Sequence, residues 1–110
     1  MRDYHEYDTL LAAVAESKFE ITEVVSGGAS GVDALGERYA KENGIPLRIF
    51  PADWAKHGNA AGPIRNKEMA NYADALIALW DGLSRGTGSM VGYARLKNLK
   101  YYIKPIAPDK

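Results

Sequence analysis

The sequence predicts an α/β domain with a parallel sheet, and three observations support that prediction. β-rich runs recur near residues 20–25, 45–50, 74–80 and 100–104. A segment with helical spacing of apolar residues follows each of the first three after a short connection. The run at 74–80 is continuously apolar, as is typical of a strand covered on both faces. We therefore predict about four parallel strands with helices on both faces of the sheet.

The composition is that of one soluble domain. The 110 residues suffice for one core, 46% of them are hydrophobic, and acidic and basic residues balance at 14 each. This balance favours neither direct nucleic-acid binding nor attachment to an anionic membrane. Without a membrane-length apolar run or a signal-peptide pattern, a cytoplasmic location is predicted. We expect a single domain over 1–110, with 1–6 and 105–110 as tails.

Local patterns place the elements of the first half. Apolar spacing predicts an amphipathic helix over 7–17. A second helix begins near Val32 and ends at Asn43 and Gly44, a pair typical of a left-handed helix end. Pro46 lacks an N–H and therefore fits the start of the next strand.

The second half repeats the alternation. A polar loop is predicted over 51–62, followed by a helix over 63–72 that starts at Pro63. A second glycine-rich loop is predicted over 81–88, and a last helix over 89–96 precedes the final strand.

The stretch Ser-Gly-Gly-Ala-Ser-Gly-Val-Asp at 26–33 is the first candidate binding element. Its three glycines allow positive φ angles and close approach of a ligand to the backbone. Ser30 and Asp33 resemble a capping box at the start of a helix, whose free N–H groups favour a bound anion. A glycine-rich turn without a ligand is the alternative interpretation.

The second glycine loop offers the same chemistry. Thr87 and Ser89 carry hydroxyl groups suited to phosphate or sugar oxygens, although simple helix capping explains them equally. Loops that follow parallel strands open on one edge of the sheet, where α/β proteins bind ligands. The two glycine loops and the 51–62 loop are therefore predicted to converge.

Four polar or aromatic side chains near these loops are further candidates. Arg65 stands in the first turn of a helix, where a cation opposes the dipole, so a phosphate or carboxylate partner is favoured over a surface ion pair. Asn66 follows it. Asp53 would accept a hydrogen bond from a ribose hydroxyl, and Trp54 would stack on a base or simply pack. His5 and His57 lack metal-ligand spacing, and we predict no metal or cofactor.

The motifs together resemble a known family. Those at 26–33, 50–54, 60–69, 73–82 and 84–87 are similar to the YspA, cpYpsA-related branch of the SLOG superfamily. The resemblance covers residues 2 to 104. It implies a Rossmann-like, three-layer α/β/α fold and a nucleotide or nucleotide-derived ligand. The superfamily includes the LOG phosphoribohydrolases and the DNA-processing protein DprA.

Two departures from the family pattern bear on function. Family members usually begin with a strand that ends in Gly-Ser-Arg, whereas only the segment 2–4 resembles the end of that motif, so a central strand is expected to be absent. The LOG enzymes carry a catalytic glutamate after Gly-Thr, but Gly88 and Ser89 follow Gly86 and Thr87 here. This difference argues against phosphoribohydrolase activity.

We therefore predict a domain that binds or senses a nucleotide-derived ligand. The alternatives are a LOG-like nucleotide or nucleoside-phosphate hydrolase, and a structural module that has lost its ligand. No catalytic residue is assigned. The predicted ligand-binding residues are Ser26, Gly27, Gly28, Ala29, Gly31, Asp33, Asp53, Trp54, Arg65, Asn66, Asp81, Gly82, Ser84, Gly86 and Thr87.

The expected loss of a central strand also predicts a homo-oligomer, most simply a dimer. Unpaired strand edges and apolar surface would otherwise be exposed to water. Analytical ultracentrifugation at micromolar concentration tests this prediction, and a monomer would contradict it.

Overall fold

The computed structural model describes residues 6–28 and 31–107. Within these ranges no helix is long and apolar enough to cross a membrane. Helices and strands alternate along most of the described chain, with a 3₁₀ turn over Gly58–Ala60. The elements are α1 (Tyr7–Ser17), β1 (Val24–Ser26), α2 (Val32–Glu42), β2 (Leu47–Ile49), α3 (Trp54–His57), α4 (Ala61–Tyr72), β3 (Ala75–Trp80), α5 (Arg85–Leu96) and β4 (Lys100–Pro105).

The strands form two separate parallel pairs. β1 pairs with β2, with Val24 opposite Leu47. β3 pairs with β4 over six residues, with Ala75 opposite Lys100. In the described part of the chain, no strand ladder joins one pair to the other. The structure therefore confirms an α/β chain with parallel strands, but those strands do not form one continuous sheet.

The first strand is shorter than the sequence predicts, and Pro46 gives the reason. The ladder between β1 and β2 begins where the Val24 N–H donates to the Pro46 carbonyl oxygen at 2.9 Å. Proline has no N–H with which to extend this ladder toward residues 20–23. The predicted strand over 20–25 is consequently reduced to Val24–Ser26.

The first two helices follow their predictions closely. α1 covers Tyr7–Ser17 as predicted, and α2 ends at Glu42 before Gly44, whose φ of +62° is the expected left-handed value. At the start of α2 the cap residue is Gly31, which has no side chain to contribute a capping hydrogen bond. Ser30, the other half of the predicted capping box, lies outside the described residues.

Two predicted loops are partly helical. The 51–62 segment contains α3 and a 3₁₀ turn, because the Asp53 carboxylate accepts a hydrogen bond from the Lys56 N–H at 3.0 Å and caps α3. α5 starts at Arg85 rather than at 89, so Gly86 and Gly88 lie in its first turn. Packing of this turn outweighs the low helix propensity of glycine, since Gly88 lies directly against the Trp80 indole.

α1 connects the two halves of the molecule. Its buried Leu10 and Ala13 join Leu35 of α2 and Leu79 of β3 in the main hydrophobic cluster. At its first turn, the Arg38 guanidinium of α2 lies 3.9 Å from the centre of the Tyr7 ring. α1 therefore spans from α2 across β3.

The other end of α1 is attached to β4 by a polar contact. The Glu16 carboxylate accepts hydrogen bonds from the Tyr102 hydroxyl and from the Lys104 ammonium, the latter at 2.9 Å. Both contacts lower the pKa of Glu16, and they raise the pKa values of Tyr102 and Lys104. A group with a lowered folded-state pKa stabilises the fold at pH values above its unfolded pKa.

This contact predicts a pH-dependent effect of Glu16→Gln. The variant should melt at a lower temperature than the wild type at pH 7, and the difference should disappear as the pH falls below the ordinary carboxyl value of 4.5. Thermal melts between pH 3 and 7 measure this, with the exposed Glu68→Gln on α4 as control. A difference that stays constant with pH would contradict the assignment.

Candidate functional site

The glycine turn after β1 is built on a buried serine. Ser26 is 2% exposed, and its hydroxyl donates to a Glu37 carboxylate oxygen at 2.7 Å while accepting from the Gly28 N–H at 3.0 Å. Gly28 and Gly31 both adopt a φ of +76°, which only glycine adopts without strain. The turn is therefore fixed by its own side-chain contact as well as by its glycines. Ala29 lies outside the described residues.

Glu37 is a residue of this site that the sequence reasoning missed. It lies on α2, four residues after Asp33, so both carboxylates share the helix face toward the glycine turn. The i, i+4 spacing of two acidic residues after the glycine stretch was the available signal. The Ser26 hydroxyl is the partner that gives Glu37 its position.

Arg65 reaches from α4 to the glycine turn. Its Nη1 donates to the Gly27 carbonyl oxygen at 2.7 Å, and its Nε donates to Asn66 Oδ1 at 3.0 Å. A Cβ added at Gly27 would lie 2.3 Å from Arg65 Nη1 and 3.0 Å from an Asp33 carboxylate oxygen. The guanidinium, the Asp33 carboxylate and the bare backbone of Gly27 thus share one confined space.

Asn66 extends the same connection to the second glycine segment. It is 6% exposed, and its Nδ2 donates to the Gly86 carbonyl oxygen at 3.3 Å. Since α4 begins at Ala61 rather than at the predicted Pro63, Arg65 and Asn66 lie in its second turn and not in its first. From there α4 contacts both the turn after β1 and the first turn of α5. The structure brings together five of the predicted residues here: Gly27, Asp33, Arg65, Asn66 and Gly86.

Asp81 shapes the loop that precedes α5. Its Oδ1 accepts hydrogen bonds from the Leu83 and Ser84 N–H groups, each at 2.8 Å. These backbone donors lower the pKa of Asp81. Gly82, with a φ of +82°, completes the turn. Asp81 and Gly82 thus have a structural explanation in the geometry of this loop.

The first turn of α5 carries the remaining polar candidates. The Ser84 carbonyl oxygen accepts from the Trp80 indole N–H at 3.1 Å, and the Ser84 hydroxyl lies 3.5 Å from Thr87 Oγ1. Both side chains are half-buried. A Cβ at Gly88 would meet the Trp80 ring at 3.1 Å, so close packing explains this glycine.

Asp53 and Trp54 have their contacts around α3 and α4. Asp53 caps α3, and the Trp54 ring approaches to 3.6 Å the position that a Cβ would occupy at Gly62. Trp54 is 59% exposed. These two residues are therefore accounted for by capping and packing, while the Trp54 ring still presents a large free surface.

The site brings together several hydrogen-bond donors and one guanidinium group. Helix N–H groups, a guanidinium, an amide and two hydroxyls are donors for oxygen-rich ligands. Among the described side chains, no group of three or more His, Cys, Asp or Glu is placed to hold a metal ion.

The chain is similar to known proteins. The model of the YspA, cpYpsA-related SLOG family matches residues 1–57, which include the first glycine turn. A protein of Mycobacterium phage D29, named Gene 61 protein, is 36% identical over 87 residues, covering 74% of this chain and 69% of the phage protein. No solved structure matches the chain.

The confined space at Gly27 predicts a difference between two glycine-to-alanine changes. Gly27→Ala should displace the Arg65 side chain and remove its bond to the carbonyl oxygen, lowering the free energy of unfolding by about 1–2 kcal/mol. Gly86→Ala meets nothing within 4 Å and lies in a helix, so it should be neutral or stabilising by up to about 1 kcal/mol. Urea unfolding compares the two. Equal losses would contradict the contact.

Proposed function

The chain belongs to the YspA, cpYpsA-related SLOG family, and we propose that it binds a nucleotide or nucleotide-derived ligand between the glycine turn and the first turn of α5. The observation that carries this proposal is the pair of bonds from α4. Arg65 binds Gly27 and Asn66 binds Gly86, so one helix fixes the relative position of two backbone segments rich in N–H donors.

The free N–H groups favour a phosphate at this position. In α2 the first intrahelical bond runs from the Leu35 N–H to the Gly31 carbonyl oxygen, and in α5 it runs from Gly88 to Ser84. Helix geometry leaves the N–H groups of the preceding turn, such as those of Val32 and Thr87, without intrahelical partners. Together with the helix dipoles they attract an anion.

Arg65 supplies the formal positive charge. Two of its donors are directed to Gly27 and Asn66, and a guanidinium has five. The remaining N–H groups are able to bind a phosphate or carboxylate oxygen. The nearby Asp33 carboxylate partly offsets the positive charge of Arg65. Because a carboxylate accepts hydrogen bonds, it favours a ligand that also offers hydroxyl donors, such as a ribose.

The hydrolase alternative is less well supported. The positions after Gly86 and Thr87 hold glycine and serine, where the LOG-type motif has its glutamate. The nearby Glu37 carboxylate accepts a hydrogen bond from the Ser26 hydroxyl beneath the turn. We therefore propose a role in binding or sensing rather than turnover.

Calorimetry with nucleosides, nucleoside mono- and diphosphates and a dinucleotide tests the proposal. Phosphorylated compounds should bind, and the corresponding nucleosides should bind at least tenfold more weakly because they lack the anion. Arg65→Ala should weaken binding tenfold or more, equivalent to about 1.4 kcal/mol. Thr87→Ala should weaken it as well.

Lys67→Ala is the matched control, since Lys67 is an exposed cation on the same helix as Arg65. It should leave affinity unchanged. Measurements well below each variant's melting temperature separate binding from stability, because Arg65 also holds Gly27. Absence of binding by every phosphorylated compound, or equal affinity for wild type and Arg65→Ala, would contradict the proposal.

A further inference from the structure

Trp54 has the largest exposed fraction of the aromatic side chains in the described part of the chain, at 59%. It is the first residue of α3, whose start is fixed by the capping hydrogen bond to Asp53. The indole also packs on α4, where its Cη2 lies 3.6 Å from the position that a Cβ would occupy at Gly62. The ring is therefore held at its edge, and more than half of the side chain stays accessible to a ligand.

Trp54 shares one face of α4 with the two residues that bind the glycine segments. Gly62, Arg65 and Asn66 have i, i+3 and i+4 spacing, so they lie on one face of the helix. The indole packs at the first of these positions, Arg65 donates to the glycine turn after β1, and Asn66 donates to the first turn of α5. Four residues of an α-helix rise about 6 Å, a separation that the ribose of one nucleotide is able to bridge.

The path of the chain after β2 leads to the same place. β1 and β2 are parallel, with Ser26 opposite Ile49, and the Phe50 N–H donates to the Ser26 carbonyl oxygen at 2.8 Å. A Cβ on Gly28 would lie 3.1 Å from Ile49 Cγ2. The carboxyl end of β2 therefore borders the glycine turn, and Trp54 follows this strand by five residues. Contacts from β2 and from α4 thus agree on the position of the indole beside the site.

The indole adds a different kind of contact to the polar groups of the site. The groups around Gly27 and Gly86 are backbone N–H groups, a guanidinium, an amide and a carboxylate, which suit phosphate and hydroxyl groups. An indole face binds flat aromatic groups by stacking. Stacking of a base on an aromatic side chain needs no hydrogen bond to the base, so it tolerates every base.

We propose that Trp54 is the base-stacking residue of the site and that the ligand is a nucleoside phosphate rather than a sugar phosphate. This inference rests on the nucleotide binding proposed above. The phosphate lies at the helix starts near Gly27 and Gly86, the ribose lies along α4, and the base lies on the accessible face of the indole. Stacking selects for the presence of a base and not for its identity, so purine and pyrimidine nucleotides bind with similar affinity.

Calorimetry with AMP, UMP and ribose 5-phosphate tests the proposal, because all three carry a 5′-phosphate and only two carry a base. The wild type should bind AMP and UMP about tenfold or more tightly than ribose 5-phosphate, and within about tenfold of each other. Trp54→Leu should weaken the binding of both nucleotides about tenfold and leave the affinity for ribose 5-phosphate unchanged. Trp54→Phe should retain most of the nucleotide affinity, because a phenyl ring also stacks.

Tyr101→Leu is the matched control. Tyr101 is also an exposed aromatic residue, but it lies on β4 opposite Leu76, near the amino end of β3. This change should leave all three affinities as they are in the wild type. Unchanged binding of ribose 5-phosphate by Trp54→Leu shows in addition that this variant is folded around its phosphate site.

The results that would overturn the inference differ from those that would overturn the proposed function. Equal affinity of the wild type for AMP and ribose 5-phosphate would exclude a base-stacking site and leave phosphate binding intact. A Trp54→Leu variant that keeps the preference for AMP, or that loses affinity for ribose 5-phosphate equally, would assign Trp54 to packing alone. A preference of a hundredfold or more for one base would exclude selection by stacking. Absence of binding by all three compounds would overturn the inference and count against the proposed function as well.

Discussion

The constraint on which this structure depends is the connection between two strand pairs, which share no ladder within residues 6–28 and 31–107. β1 and β2 with α2 form one half, and β3 and β4 with α5 form the other. In most sheets, backbone hydrogen bonds between neighbouring strands hold the strands together. Among the described residues, no such bonds join β1 to β3. Side chains take over that role, from α1 through apolar packing and the Glu16 contact, and from α4 through Arg65 and Asn66.

The residues of α4 that connect the two halves of the molecule by hydrogen bonds also belong to the candidate binding site. Arg65 and Asn66 hold the two glycine segments at a fixed spacing, and the helix starts around them are the proposed phosphate donors. A ligand bound there would add contacts to both halves, so binding and cohesion would be coupled by mass action. Loss of Arg65 is therefore expected to affect both properties, which is why affinity and stability must be measured separately.

Much of the local structure was predictable from the sequence. The helical spacing of apolar residues predicted the bounds of α1, and Asn43 and Gly44 predicted the end of α2. The apolar run at 74–80 predicted nearly all of β3. The predicted bounds of β1 and α5 were wrong, because these bounds depend on contacts between residues that are not neighbours in the sequence. β1 is shortened by Pro46 on its partner strand, and the glycines of α5 are helical because the turn packs on Trp80.

The candidate site shows the same division. The sequence alone determined which segments are rich in glycine and that strands alternate with helices, because these properties depend on neighbours within a few residues. The prediction that Arg65 stands in the first turn of its helix was wrong, because α4 begins at Ala61. Tertiary structure decided that Arg65 binds the Gly27 carbonyl oxygen and that Glu37 accepts a hydrogen bond from Ser26. It also decided that the Asp81 and Asp53 carboxylates accept hydrogen bonds from backbone N–H groups two or three residues further along the chain. It also decided that the sheet is divided. Each of these depends on residues that are distant in sequence or on backbone geometry that only the folded chain defines.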